Sequence, residues 1–283
     1  MPISIFSFIF IFVFSLPCLA NADITLNFGL YTSDKPTAII KQFKPIINYL
    51  ETAVAEKLKQ PVKIRIQVAS SYEKGIHNLV AGLVDFSRFG PASYVEATDR
   101  DPGIRIIAME RKKGSKRFKG IICVHKDSQL KVIQDFKGKS FAFGNELSTE
   151  GRYLSQQYMM VNGIKASDLS RYKYIGRHDK VGYAVGAGQY DGGALKESTF
   201  KKLVKKGIPI RAIAEFQNVT KPWIARSGLN NKTFFAIQAS LLELKDKKVL
   251  KAVKKDGFVT GSDDDYTMIR ESIQKNHEFF KTP

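Results

Sequence analysis

The sequence predicts an α/β protein whose sheets are covered by helices, and three observations lead there. From residue 24 onward, segments with period-two apolar alternation take turns with segments carrying an apolar stripe at helical spacing. Beyond residue 22 there is a single cysteine, Cys123, so the core rather than an internal disulfide must hold the fold. The chain has 283 residues, which leaves room for two modest domains or one large one.

The first segment stands apart. Residues 3–16 are almost wholly apolar and are followed by Pro17 and Ala20-Asn21-Ala22. An apolar run of that length before a small-x-small site is expected to be a signal peptide cleaved after Ala22, with a mature chain starting at Asp23. No Lys or Arg precedes the run, and Cys18 beside Pro17 fits a lipidation site poorly. The protein is therefore expected to be exported to the periplasm.

Residues 24–31 alternate at Ile24, Leu26, Phe28 and Leu30, a strand. Residues 36–58 carry Ile39, Ile40, Phe43, Ile46, Ile47, Leu50, Val54 and Leu58 on one helical stripe, with Pro45 expected to kink or divide the helix. A strand at 62–68, a helix at 72–83 and a strand at 84–89 follow, and Gly90-Pro91 opens a short helix. Strands at 104–109 and 118–125 flank a basic turn at 111–117. Next come strands at 172–175, 190–195 and 208–216 and helices at 178–188, 199–206, 232–244 and 263–280. This alternation suggests parallel sheets.

Between the two halves of that list lies the most informative stretch, Ser140-Phe141-Ala142-Phe143-Gly144-Asn145-Glu146-Leu147-Ser148-Thr149-Glu150-Gly151. It reads as a strand, a turn and a helix opening at Ser148 or Thr149, with Tyr153, Leu154, Tyr158, Met159 and Val161 on its buried face. Such a start is an ordinary Ser/Thr cap; it also offers hydroxyls, amides and a positive dipole end suited to a small oxyanion.

The net charge of +18 lies entirely beyond residue 22. The lysines are dispersed, as at Lys57, Lys112, Lys201 and Lys247, and no nucleic-acid motif accompanies them, so the field favours anions or an anionic surface rather than nucleic acid. His77, His125, His178 and His277 show no metal-ligand spacing. No Gly-x-Ser-x-Gly elbow is present, and Gly186-Ala187-Gly188 lacks the third glycine of a dinucleotide loop. Asp263-Asp264-Asp265 suits a helix start rather than a calcium loop. Neither an enzyme nor a bound cofactor or metal is expected.

Four pieces, in order, resemble the periplasmic phosphate/phosphite/phosphonate-binding proteins of ABC importers. They are Leu26-Asn27-Phe28-Gly29-Leu30; Asp85 to Tyr94 with its Phe89-Gly90-Pro91-Ala92-Ser93-Tyr94; the Gly138-to-Gly151 stretch with Ser148-Thr149; and Gly176-Arg177-His178-Asp179 followed by Ala184-Val185 and Asp191-Gly192-Gly193-Ala194. The resemblance implies a two-domain periplasmic binding protein fold of type II, with a ligand cleft between the domains and two hinge crossovers. Domain 1 would be 23–113 plus 218–283, and domain 2 would be 114–217. It further implies capture of phosphate, phosphite or a phosphonate for an ABC permease, as a monomer. A sensory module of the same fold, signalling to a membrane receptor or kinase, is the alternative.

Carried over from the family, Ser148, Thr149 and His178 would hold the oxyanion and Tyr72 would line the cleft. Phe118 stands where relatives often carry Tyr. Lys221 stands where aminophosphonate-binding relatives carry an acidic residue, which turns the expectation away from an aminoalkyl phosphonate. Glu150 would favour a protonated oxyanion or face solvent. Arg88 is either a charge partner of the ligand or a surface residue at a strand end.

Overall fold

In the computed structural model, residues 23–31 and 36–282 are described; the expected signal peptide, its cleavage site and Cys18 lie outside them. The elements, in chain order, are β1 (Ile24–Tyr31), α1 (Pro36–Leu58), β2 (Val62–Ala69), α2 (Tyr72–Val80), β3 (Phe86–Arg88), α3 (Pro91–Arg100), β4 (Arg105–Arg111), β5 (Arg117–His125) and β6 (Ser140–Phe143). A π turn (Thr149–Tyr153) then runs directly into α4 (Leu154–Val161). It is followed by β7 (Arg171–Tyr174), α5 (His178–Gly186), β8 (Gly192–Lys196), α6 (Glu197–Lys205), β9 (Ile210–Val219), β10 (Pro222–Ala225), α7 (Asn231–Glu243), α8 (Lys247–Val253), β11 (Gly257–Val259) and α9 (Thr267–Gln274).

Two sheets result, with strand orders β11-β4-β10-β3-β1-β2 and β7-β6-β8-β5-β9. They are mixed rather than parallel throughout. β1 runs parallel to β2 and β3, and β6 to β7 and β8, whereas β10 is antiparallel to β3 and β4 and β5 is antiparallel to β8 and β9. The reason is the connectivity. The chain leaves the first sheet along β4, enters the second along β5, leaves it along β9 and returns along β10, so strands that leave and return side by side oppose one another. The two crossovers are stitched together where they pass: Glu110 N donates to the Lys221 carbonyl at 3.1 Å and Thr220 N to the Lys116 carbonyl at 2.8 Å.

Each sheet has its own aromatic centre. In the first, Trp223 stacks on Phe28 with ring centroids 4.7 Å apart and meets the Phe258 ring edge-on, while α1 buries Phe43, Ile46, Ile47, Leu50 and Val54 beneath them. In the second, Phe141 lies between Phe136 and Phe143. Pro45 does not divide α1, which is continuous. The carbonyl its ring leaves unpartnered belongs to Lys41, on the exposed side of the helix where water can satisfy it. Val161, expected to be buried, is 75% exposed at the last position of α4.

The expected single helix at 263–280 is instead a 3-10 turn, α9 and a second 3-10 turn. α9 stays beside α3, with Arg270 on Asp99, but the closing turn reaches the second sheet's side. There Phe279 packs edge-on to Phe143, and the Asn276 amide donates to Gln156 Oε1 at 2.8 Å. A third tie thus joins the two halves. No helix among the described residues is long and apolar enough to cross a membrane.

Candidate functional site

The carboxyl ends of β1, β3, β6 and β8 face one another across the gap between the sheets, the position where open α/β sheets gather ligands. β1 ends in Tyr31, whose hydroxyl accepts from Gly90 N at 2.6 Å and donates to Ser93 Oγ at 2.7 Å. Gly90 caps α3 without a side chain, and Pro91 fills the first turn, where its missing N–H costs nothing. Burial pushes the Tyr31 phenol up to about 12, so it stays a neutral donor and acceptor.

Opposite stands the π turn that opens α4. Ser148 is its cap, with Oγ accepting from Gly151 N at 3.0 Å, and Thr149 Oγ1 reaches across to accept from Ala92 N at 2.9 Å. That last bond joins the start of α3, on the first sheet, to the helix start on the second. A π turn is a rare local geometry often tied to a functional position. Here it is held by close backbone contact: Gly144 N donates to the Gly151 carbonyl at 2.7 Å, and a Cβ at Gly151 would meet Gly144 Cα at 2.8 Å and Ser148 Oγ at 2.9 Å. Gly151→Ala is accordingly expected to cost about 1–3 kcal/mol by overpacking. It should also loosen the cradle, so that the melting temperature and anion affinity fall together; an unaltered melt would contradict that account of the turn.

His178, the first residue of α5, is buried at this same place, as are Ser148, Thr149 and Glu150. Glu150 does not face solvent; it is only 4% exposed, with Oε1 lacking a hydrogen-bond partner among the described residues. Burial would raise its carboxyl, but His178, Lys221 and Lys196 outweigh that and hold it below the usual range, so it remains ionised. A buried, ionised carboxylate with an open oxygen is best satisfied by a group that donates a hydrogen bond.

Arg88 is not a surface arginine. It stands at the end of β3 over the Phe43 ring, with two guanidinium nitrogens on the buried Glu110 carboxylate, which also accepts from Lys255 Nζ at 2.6 Å. Burial would raise Glu110, yet Arg88 and Lys255 together hold it at about 2. Arg88, Phe118 and Lys221 line one cavity of about 250 Å³, which Tyr31 joins to the cradle. Tyr72 is set further off. Its ring stacks on Tyr31 at 4.2 Å, and it borders a different cavity with Asn145 and Arg152.

Tyr31, Glu110, Lys196 and Lys255 escaped the sequence reading. The only available signal was for Tyr31, a polar aromatic closing a strand just before a break in the apolar pattern. The other three depend on long-range pairing.

A family profile described as "ABC transporter, phosphonate, periplasmic substrate-binding protein" matches residues 28–266. The probable ABC transporter phosphite binding protein PhnD1 of Prochlorococcus marinus (strain MIT 9301) is 24% identical over 233 residues, 78% of this chain and 75% of that one. The phosphonates-binding periplasmic protein of Escherichia coli (strain K12) is 29% identical over 171 residues, 59% of this chain and 48% of that one. The crystal structure of the Prochlorococcus PhnD1 with methylphosphonate superposes with a TM-score of 0.80 at 20% identity, covering 90% of this chain and 98% of that one.

Proposed function

The chain belongs to the periplasmic substrate-binding proteins of ABC phosphonate transporters, and from that membership we propose that it captures phosphate, phosphite or a phosphonate between its two sheets for delivery to an ABC permease. The observation that carries this reading is the meeting of two helix starts through Thr149 Oγ1 and Ala92 N, with the Tyr31 hydroxyl at Gly90 beside them. An oxyanion seated there would accept from the Ser148 and Thr149 hydroxyls and the His178 ring, while the α3 start, whose Gly90 and Ala92 amides are bonded to Tyr31 and Thr149, would add the positive end of its dipole. Donors of both signs of preorganisation, dipole and hydroxyl, would then converge on it without a formal counter-ion in contact.

The units that close would be 23–113 with 218–283 and 114–217, hinged at the paired crossovers, with Asn276 and Phe279 tying the closing turn to the second unit. In this reading the protein acts as a monomer, processed after Ala22.

A melting panel tests the proposal. Phosphate, phosphite or methylphosphonate at ~100 times its dissociation constant should add about 2.7 kcal/mol of stability, and sulfate, which cannot donate to Glu150, should add little. No shift with any phosphorus oxyanion would overturn it.

A pH dependence follows as well. Burial, with Arg88 adding to it, pushes the Lys221 ammonium down to about 7; Glu150 and Glu110 oppose this and Lys196 reinforces it. A bound anion would favour the charged ammonium and raise that value again. Anion affinity should therefore be greatest below pH 7 and decline above it, by up to about tenfold per pH unit. The oxyanion's own ionisation cancels in the ratio of wild-type to Lys221→Met affinities, which is the quantity to measure. A ratio that stays level from pH 6 to 9 would contradict the assignment.

A further inference from the structure

We infer that the cargo carries, besides its phosphorus oxyanion, a second anionic group that enters the lysine-walled cavity opening off the cradle. This deepens the reading above and rests on it. The cavity, of about 250 Å³, is lined by six lysines and Arg88, with no acidic side chain in its lining. The oxyanion itself would sit in the cradle, of whose residues only Tyr31 lines the cavity, so the cavity is left for the rest of the cargo.

The carboxylates near this wall are fewer than its cations. Glu110 is shared between Arg88 and Lys255, Glu197 between Lys112, at 3.7 Å, and Lys201, and the Glu150 charge acts on both Lys221 and Lys196. The Lys221 ammonium, half-buried at the crossover, has no hydrogen-bond or ion-pair partner among the described residues, and neither has Lys202 on the facing helix. α6 also begins in this wall, and Ser198 and Thr199 in its first turn line the cavity.

Bringing like charges together around a partly enclosed space is unfavourable unless something of opposite sign enters it, since a half-buried cation without a partner loses hydration and gains nothing. A solvated lysine surface would spread its charges rather than close them around a cavity. The chemistry that fits is a carboxylate or a second phosphorus acid a short chain away from the first. An ammonium substituent would meet Lys221 and Lys202 and be repelled.

The test is a calorimetric titration of the purified exported protein at fixed ionic strength. The ligands are methylphosphonate, phosphonoacetate, methylenediphosphonate and 2-aminoethylphosphonate. Phosphonoacetate or methylenediphosphonate should bind at least tenfold tighter than methylphosphonate, and the tighter of the two identifies the second group. In Lys221→Met that preference should shrink to threefold or less; Lys202→Met, at an exposed position, provides a second reading if the first variant does not fold. A preference below tenfold in the wild type, or one that survives both substitutions, overturns the inference while leaving oxyanion capture intact. If none of the four binds the folded protein, capture itself fails and the inference with it.

Discussion

Replacing Ser148 and Thr149 together with alanine is expected to weaken phosphorus-oxyanion binding by at least two orders of magnitude while leaving the chain folded. A hydrogen bond from a neutral hydroxyl to a charged oxyanion contributes about 1.5–3 kcal/mol, so the loss of two amounts to roughly 3–6 kcal/mol. Thr149 also receives the Ala92 amide, so its removal strips the α3 start of the acceptor that now satisfies it. The stability cost is smaller, because a lost Ser cap is worth about 1 kcal/mol and the π turn keeps its Gly144–Gly151 bond. Calorimetry on the variant, alongside its melting curve, checks this. Affinity within tenfold of wild type in a folded variant would place the site elsewhere.

The second large effect is expected at Glu110, which stands at the crossover with only 1% of its side chain exposed and both Arg88 and Lys255 on its carboxylate. Glu110→Gln leaves two cations around a neutral amide. Breaking a buried charge network from one side costs roughly 3–5 kcal/mol, and at about 2–4 °C per kcal/mol the melting temperature should fall by on the order of 10 °C.

The wild-type protein should show the same dependence through pH. Because the folded carboxyl is held at about 2 against an ordinary 4.5, its contribution is fully present above pH 4.5 and is lost as the pH falls toward 2. At about 1.4 kcal/mol per pH unit that is about 3 kcal/mol. Melting curves from pH 7 down to 3 should therefore converge for wild type and Glu110→Gln; curves that stay parallel would contradict the network's role.

Much of this arrangement was legible in the sequence where it depended on local pattern. The stripe of α1, the alternation of β1 and the Ser-Thr helix start are all encoded within a few residues, and Ser148, Thr149 and His178 are each buried at the opening of a helical element. What sequence reasoning missed depends on pairing at a distance. Arg88 stayed open between ligand partner and surface residue because its partner Glu110 is 22 positions away on another strand, and Lys255 reaches the same carboxylate from beyond α8. For Glu150 the sequence left two readings open, beside a protonated oxyanion or facing solvent, because nothing local shows that His178, Lys221 and Lys196 surround it. The mixed sheets were missed for a related reason: alternation of helix and strand reveals the elements but not that the chain crosses between sheets twice along neighbouring strands. Tyr31 was hidden by its own pattern, as the last member of a core-forming strand whose hydroxyl, not its ring, matters at the site.

The most direct test of the central claim is an amide titration. The ¹⁵N-labelled protein would be followed as methylphosphonate is added, with attention to Ala92, Thr149 and Gly151. Capture between the two helix starts predicts that the largest, saturable shifts fall on these amides and on those around Tyr31 and His178. Saturable shifts confined to other surfaces, or none at all, would contradict it.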